Sequence, residues 1–348
     1  MRYGLYPDTS EDAVSPIIGT ILILAIMVSI TGTMLAWGIP QIQESEAYAI
    51  YTSAQNNFLN FDADMDQVIL QGEGSSRAST VSFSSGTFVE RDNLDEIKYY
   101  YTSVNWSDPK IVGVGADSES FALLDLEKVV SSFNVTLEYP NGTQWKGSSS
   151  SSIVTNFPPL VYGVKATYSS TENNTIIGGF MIYGTDSLSY RYSSVSGTYK
   201  MRMFNGGIVS KEPGGGFYVS SSPLIRSISG VGKYESFALY QTDFNLSSTS
   251  FTSLMSGNYN FEVRNQGGND SSLSIYKLRM GFKGDSAFAM KNYYISDWDF
   301  SRATIFFNTL ESPTASGMGT EEDIMYSQNE PFDFRILERL IYVTFNLR

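Results

Sequence analysis

The 348-residue chain is predicted to be α+β: a long N-terminal hydrophobic spine helix followed by a large antiparallel, β-rich, sandwich-like globular head. Three observations carry that expectation. The stretch Ala13–Gln43, AVSPIIGTILILAIMVSITGTMLAWGIPQIQ, holds no Asp, Glu, Lys or Arg in 31 residues, and no other run in the chain does the same. A 3.5-residue apolar seam then continues from Ala47 to Val68. Beyond Gly72 the apolar period falls to two, in a chain with 23 Tyr, 22 Phe and abundant Ser, Thr, Asn and Gly, a mixture suited to twisted strands and polar turns.

Taken in order, the apolar run comes first. As a helix it would reach roughly 46 Å at about 1.5 Å per residue, more than the ~30 Å hydrocarbon core of a bilayer. Ser15-Pro16 is a good helix start, with Ser as N-cap and Pro at the first helical position, where its missing N–H costs nothing. Trp37 lies near the other end, where an amphipathic ring sits at headgroup level. Only MRYGLYPDTSED precedes the run, with one base, Arg2, against three acids. No small-residue cleavage signal follows it, so retention of the segment is expected over removal as a secretory signal.

Pro40 cannot donate to a helix ladder, so a kink or local melting is expected there. The seam that follows, Ala47, Tyr51, Ala54, Phe58, Phe61, Met65 and Val68, is spaced by alternating fours and threes with polar residues between, the pattern of a helix packed along a partner. A single helix from Ser15 to about Leu70 would be roughly 84 Å long; a membrane helix joined to a separate linker helix is the alternative. Gly72-Glu73-Gly74 ends it.

Strands are expected at 80–84, 97–104, 133–139, 162–168, 175–183, 198–204, 217–220, 237–240, 259–264, 273–279, 303–308 and 341–347, separated by turn signals such as Pro140-Asn141-Gly142 and Gly267-Gly268-Asn269. Many short strands at this spacing favour antiparallel packing over βαβ units. The chain thus divides into residues 1–12 as a leader, 13–70 as the helix and 71–348 as the head. The serine run Ser148–Ser152 either splits that head into two β subdomains near 147–160 or forms a surface loop.

Composition removes whole classes of chemistry. A net charge of −13 argues against nucleic-acid binding, which needs clustered Lys and Arg. With no Cys and no His, disulfides, thiolate nucleophiles, Cys-ligated zinc and any Ser-His-Asp unit are excluded. No spacing singles out a catalytic residue, and no cofactor is assigned. Asp62, Asp64, Asp66 and Glu73 match positions 1, 3, 5 and 12 of an EF-hand calcium loop, but Gln67 stands where that loop needs Gly, and the seam keeps helical register through it. A solvated helix face is therefore expected, as it is for the acidic cluster Asp92, Asp95 and Glu96. Six Asn-x-Ser/Thr sequons, at Asn105, Asn134, Asn141, Asn173, Asn245 and Asn269, are glycan acceptors if the head is outside the cell. The tyrosine groups 99–101, Tyr190 with Tyr192, and Tyr293 with Tyr294 read as half-buried sheet residues, with stacking on sugars as the rival role.

A short charged leader, then Ala-Val-Ser-Pro-Ile-Ile-Gly at 13–19, then an unbroken apolar run, resembles the N-terminus of archaeal type IV pilins of the adhesive-pilus type. The resemblance covers roughly residues 11–40. It implies a prepilin-peptidase cut between Asp12 and Ala13, although Glu11-Asp12 stands where many family members carry Lys or Arg. It also implies a filament core built from Val14, Pro16, Ile17, Ile18, Ile21, Leu22, Leu24, Ala25, Val28, Leu35 and Trp37 of many copies. The partners so implied are copies of this chain or other pilins, a prepilin peptidase and a membrane assembly platform. The membrane would hold the chain before assembly and the cell surface would carry the filament. The reading from another class is a permanently anchored surface protein whose β head binds or hydrolyses glycans.

Overall fold

The structure is a computed structural model; it describes residues 14–105, 110–114, 120–124, 130–149, 153–155, 157–230, 233–246, 256–284, 286–302 and 321–347. The first element is a single helix, α1 (Val14–Gln71), of 58 residues, roughly 87 Å end to end at the standard rise. It runs through Pro40 without interruption, so the local melting expected there is absent. It stops at Gly72, whose φ of +89° is a left-handed conformation that costs glycine nothing. The orphaned carbonyls of the last turn are collected locally: Ser75 Oγ donates to Val68 O at 2.7 Å and Asn265 Nδ2 reaches the same oxygen at 3.3 Å.

The head carries eighteen described strands and one short helix. In order they are β1 (Ser76–Phe83), β2 (Thr87–Thr102), β3 (Lys110–Val114), β4 (Ser120–Leu124), β5 (Phe133–Glu138), β6 (Gln144–Ser149), β7 (Ile153–Thr155), β8 (Lys165–Ser170) and β9 (Ile176–Ser194). Then come β10 (Gly197–Met203), β11 (Ile208–Lys211), β12 (Phe217–Ser221), β13 (Ile225–Gly230), β14 (Lys233–Leu246), β15 (Gly257–Asn265), β16 (Asp270–Lys283), α2 (Ala287–Asp297), β17 (Ser301–Arg302) and β18 (Glu321–Leu347). The fold is α+β. The strand expected at 303–308 lies outside the described residues, as do 150–152 of the serine run.

Fifteen strands form one continuous sheet along the path β1-β15-β18-β16-β2-β9-β10-β11-β12, with β5, β6, β8, β13, β14 and β17 joined to its flanks; β3, β4 and β7 form a second. Its long strands change partners along their length. The 27-residue β18 pairs β16 through its first two thirds and β15 through Ile341–Leu347. Within the β16 stretch the register breaks where four residues, 328–331, oppose Tyr276 alone. Pro331 sits in that break, where a residue without an N–H does no damage to a ladder. The pairing of β14 with β18 is parallel, over Ser236–Leu246 against Asp333–Val343, a departure from the all-antiparallel expectation.

Three apolar cores result. One lies between α1 and the inner face of β1, β9, β10, β15 and the end of β18; the second is closed by α2; the third sits under β5 and β8. The helix α2 corrects the expectation of a sheet role for Tyr293 and Tyr294. It buries Ala287, Met290, Lys291 and Tyr294 on one face, and Tyr294 stacks on Phe282 at 5.6 Å. Asp95 and Glu96 are also corrected: neither is solvated. Both are buried on β2, with Ser286 Oγ donating to Asp95 Oδ2 and Lys98 pairing Glu96 at 3.0 Å.

Candidate functional site

The spine divides into two chemically different halves. From Ala47 the seven seam residues, Ala47, Tyr51, Ala54, Phe58, Phe61, Met65 and Val68, are all buried against the head. Their aromatic members meet partners from three strands: Tyr51 on Tyr199 at 4.7 Å, Phe58 on Phe88 at 5.5 Å, Phe61 on Phe261 at 5.1 Å. Polar ties flank the seam. Asn57 Nδ2 donates to Ser82 O at 2.7 Å, and Arg77 pairs Asp64 at 2.7 Å. This half is locked to the sheet because its 3.5-residue stripe is the only apolar face it has.

The other half has no partner among the described residues. Ile17, Ile18, Ile21, Leu22, Leu24, Val28, Leu35 and Trp37 are each more than half exposed, and Trp37 reaches 74%. The segment is apolar on every side, the pattern of a core helix or a membrane span, and no described part of the head covers it. Among the described residues it is the one helix long and apolar enough to cross a membrane, and none of that apolar stretch is covered by the head. The first acid after it is Glu44, so the stretch apolar enough to span ends before the seam begins. Val14 and Pro16 lie in the same helix. Asp12 and Ala13 lie outside the described residues.

The calcium-like spacing does not build a loop. Asp62, Asp64 and Asp66 sit on an unbroken helix, which turns about 100° per residue and so sends Asp64 away from the other two. Asp64 faces Arg77, while Asp62 is buried with Ser221 Oγ donating to its Oδ2 at 2.5 Å. Asp62 Oδ1 and Asp66 Oδ1 are buried without a hydrogen bond. Burial raises the Asp62 carboxyl well above the usual carboxylate range, and the neighbouring Asp66 raises it further. Burial alone takes Asp66 up to about 7. Among the described residues no three metal-binding side chains converge.

A second feature lies on the head. A cleft of about 920 Å³ opens between the turn after β5 and the strands β14 and β18. Its floor is built by three strands at once. Lys165 of β8 pairs Glu338 of β18 at 2.6 Å, and Tyr183 Oη of β9 donates to the same Glu338 Oε1 at 2.6 Å. Burial, then the Glu338 charge, raises the Tyr183 phenol well above its ordinary value. Tyr139 and Tyr162 form one wall, with Tyr139 Oη fixed by the carbonyl of Pro158 at 2.8 Å. Gln241, Asp243 and Arg339 form the other, and Arg339 is paired with Asp270. None of these residues stands out in the sequence, because they come from positions 138 to 340 and meet only through the sheet.

Of the tyrosines that do stand out, Tyr192 and Tyr293 are half-buried and the rest are core. Tyr99, Tyr100, Tyr101, Tyr190 and Tyr294 are buried, so their rings are closed to a sugar. Five sequon asparagines, Asn105, Asn141, Asn173, Asn245 and Asn269, are exposed; Asn134 is half-buried on β5. Asn141 and Asn173 accept from the backbone N–H of Thr143 and Thr175, two residues on, in tight turns. Comparison with models of protein families, with curated proteins and with solved structures finds no match for this chain.

Proposed function

We propose that this chain is a structural subunit of a type IV pilus-like surface filament, held in the membrane by the first half of α1 and then assembled through it. The observation that carries the reading is the division of one unbroken helix. The apolar seam of residues 47–69 is buried against the head, while 17–42 carries no charge and its large apolar side chains remain exposed. Such a surface needs lipid or other helices around it at every stage. A rod fixed at one end in a β head can pass from lipid to a bundle of copies without refolding, because its head contacts are made elsewhere.

The archaeal pilin-like Ala13–Gly19 motif supports a filament over a permanent anchor, and with it cleavage between Asp12 and Ala13 by a prepilin peptidase. In this reading the role is assembly, not catalysis; the head stands outside the cell, serves adhesion and presents its exposed sequons for glycosylation. Both a major and a minor subunit fit this account. Intact mass and N-terminal sequencing of the native protein test it. A chain beginning at Ala13 supports a pilin, whereas one that keeps Met1, or one cut after Gln43, makes it an anchored or secreted protein instead.

A further inference from the structure

We propose that the cleft between β5, β9, β14 and β18 is an oligosaccharide-binding site, for neutral or amino sugars. The assignment holds for a head on a filament or on an anchored chain alike, so it does not rest on the filament reading. At about 920 Å³ the cleft is at the upper end of the range that takes small ligands and holds several sugar rings. Its chemistry selects among ligand classes. Tyr139 and Tyr162 present aromatic surface beside carboxylates and an amide, a combination that suits the mixed C–H and hydroxyl faces of a pyranose. A lipid would leave the polar side chains lining the cleft without partners.

Charge excludes anionic ligands. The two cations lining the cleft are both committed, Lys165 to Glu338 and Arg339 to Asp270. Glu138 and Asp243 are exposed at the cleft, and neither carboxylate carries a hydrogen bond or ion pair among the described residues. Carboxylates in that position accept from vicinal hydroxyls or from a protonated amino group and repel uronic acids, sulfates and phosphates. The site is also built in advance. Glu338 is held by both Lys165 and Tyr183, and Tyr139 by Pro158, so ordering these groups costs a ligand little.

The test uses the full chain in detergent micelles, with chito-, manno-, galacto- and cello-oligosaccharides and a hyaluronan fragment as probes. Calorimetry reads affinity, and saturation-transfer NMR identifies the sugar protons that face the protein. At least one neutral or amino series is expected to bind, and the hyaluronan fragment is not. Asp243→Asn and Glu138→Gln should each weaken binding about tenfold, the loss of one charge-assisted contact, with unchanged thermal unfolding. Failure of every neutral and amino series to bind overturns the proposal. So does binding unaffected by both carboxylate variants, preference for hyaluronan, or equal binding of an oligolysine peptide.

Discussion

Phe58 lies almost fully buried among Phe83, Phe88 and Tyr190, with ring centres 5.9, 5.5 and 6.3 Å away. It is the point where spine and sheet share most aromatic surface. Phe58→Ala is expected to cost about 3–5 kcal/mol, the range for truncating a buried ring, measured by denaturant unfolding of the solubilised chain. A loss under about 1 kcal/mol would mean the helix is not seated as described. The residue was legible in advance because an apolar residue every 3.5 positions is a property of the helix alone and needs no knowledge of its partner. Asp62 was not. Its spacing to Asp64 and Asp66 reads as a ligand loop or a wet face, and only the position of β12, whose Ser221 meets it, makes it a buried acid.

The second half of α1 as an element carries an acid pair one turn apart, Asp62 buried and Asp66 half-buried, outside the stretch apolar enough to span a membrane. Asp66 is raised to about 7 by burial, and Asp62 is raised well above the usual range by burial and then by Asp66. An unfolded Asp titrates near 4. Between these values the folded chain binds more protons than the unfolded one, so stability is greatest at the acid side and falls as pH rises from about 4 to 7. Each titrating group contributes a slope of up to about 1.4 kcal/mol per pH unit. The thermal midpoint of the solubilised chain should fall across that window. Asp66→Asn should flatten the profile and raise the midpoint at pH above 7. A parent profile flat from pH 4 to 7 contradicts the burial of the pair.

Other elements show why legibility varied. β15 alternates exposed and buried from Asn258 to Asn265, so its period was plain. α2 was hidden because Tyr293, Tyr294 and Ile295 favour strands locally; what makes the segment a helix is the core that Tyr294 closes against Phe282 and Phe300. The parallel pairing of β14 with β18 joins residues about a hundred positions apart, which no local pattern encodes. The cleft shares that obstacle, since Lys165, Tyr183 and Glu338 belong to three separated strands.

The whole molecule is a rod whose one end is fixed in a β head and whose other end is bare and apolar. The head is acidic overall, in a chain of net charge −13, which keeps it solvated and apart from its copies. In the filament proposed above, the bare end supplies the opposite tendency and association would be confined to residues 17–42. Electron microscopy of surface filaments sheared from the source cells, with the density traced against this sequence, measures that claim directly. The account predicts filaments of this chain with Ile17–Trp37 packed in a central helical bundle and the β heads outward. A chain found wholly in the membrane fraction, or a filament core made by any other segment, would contradict it.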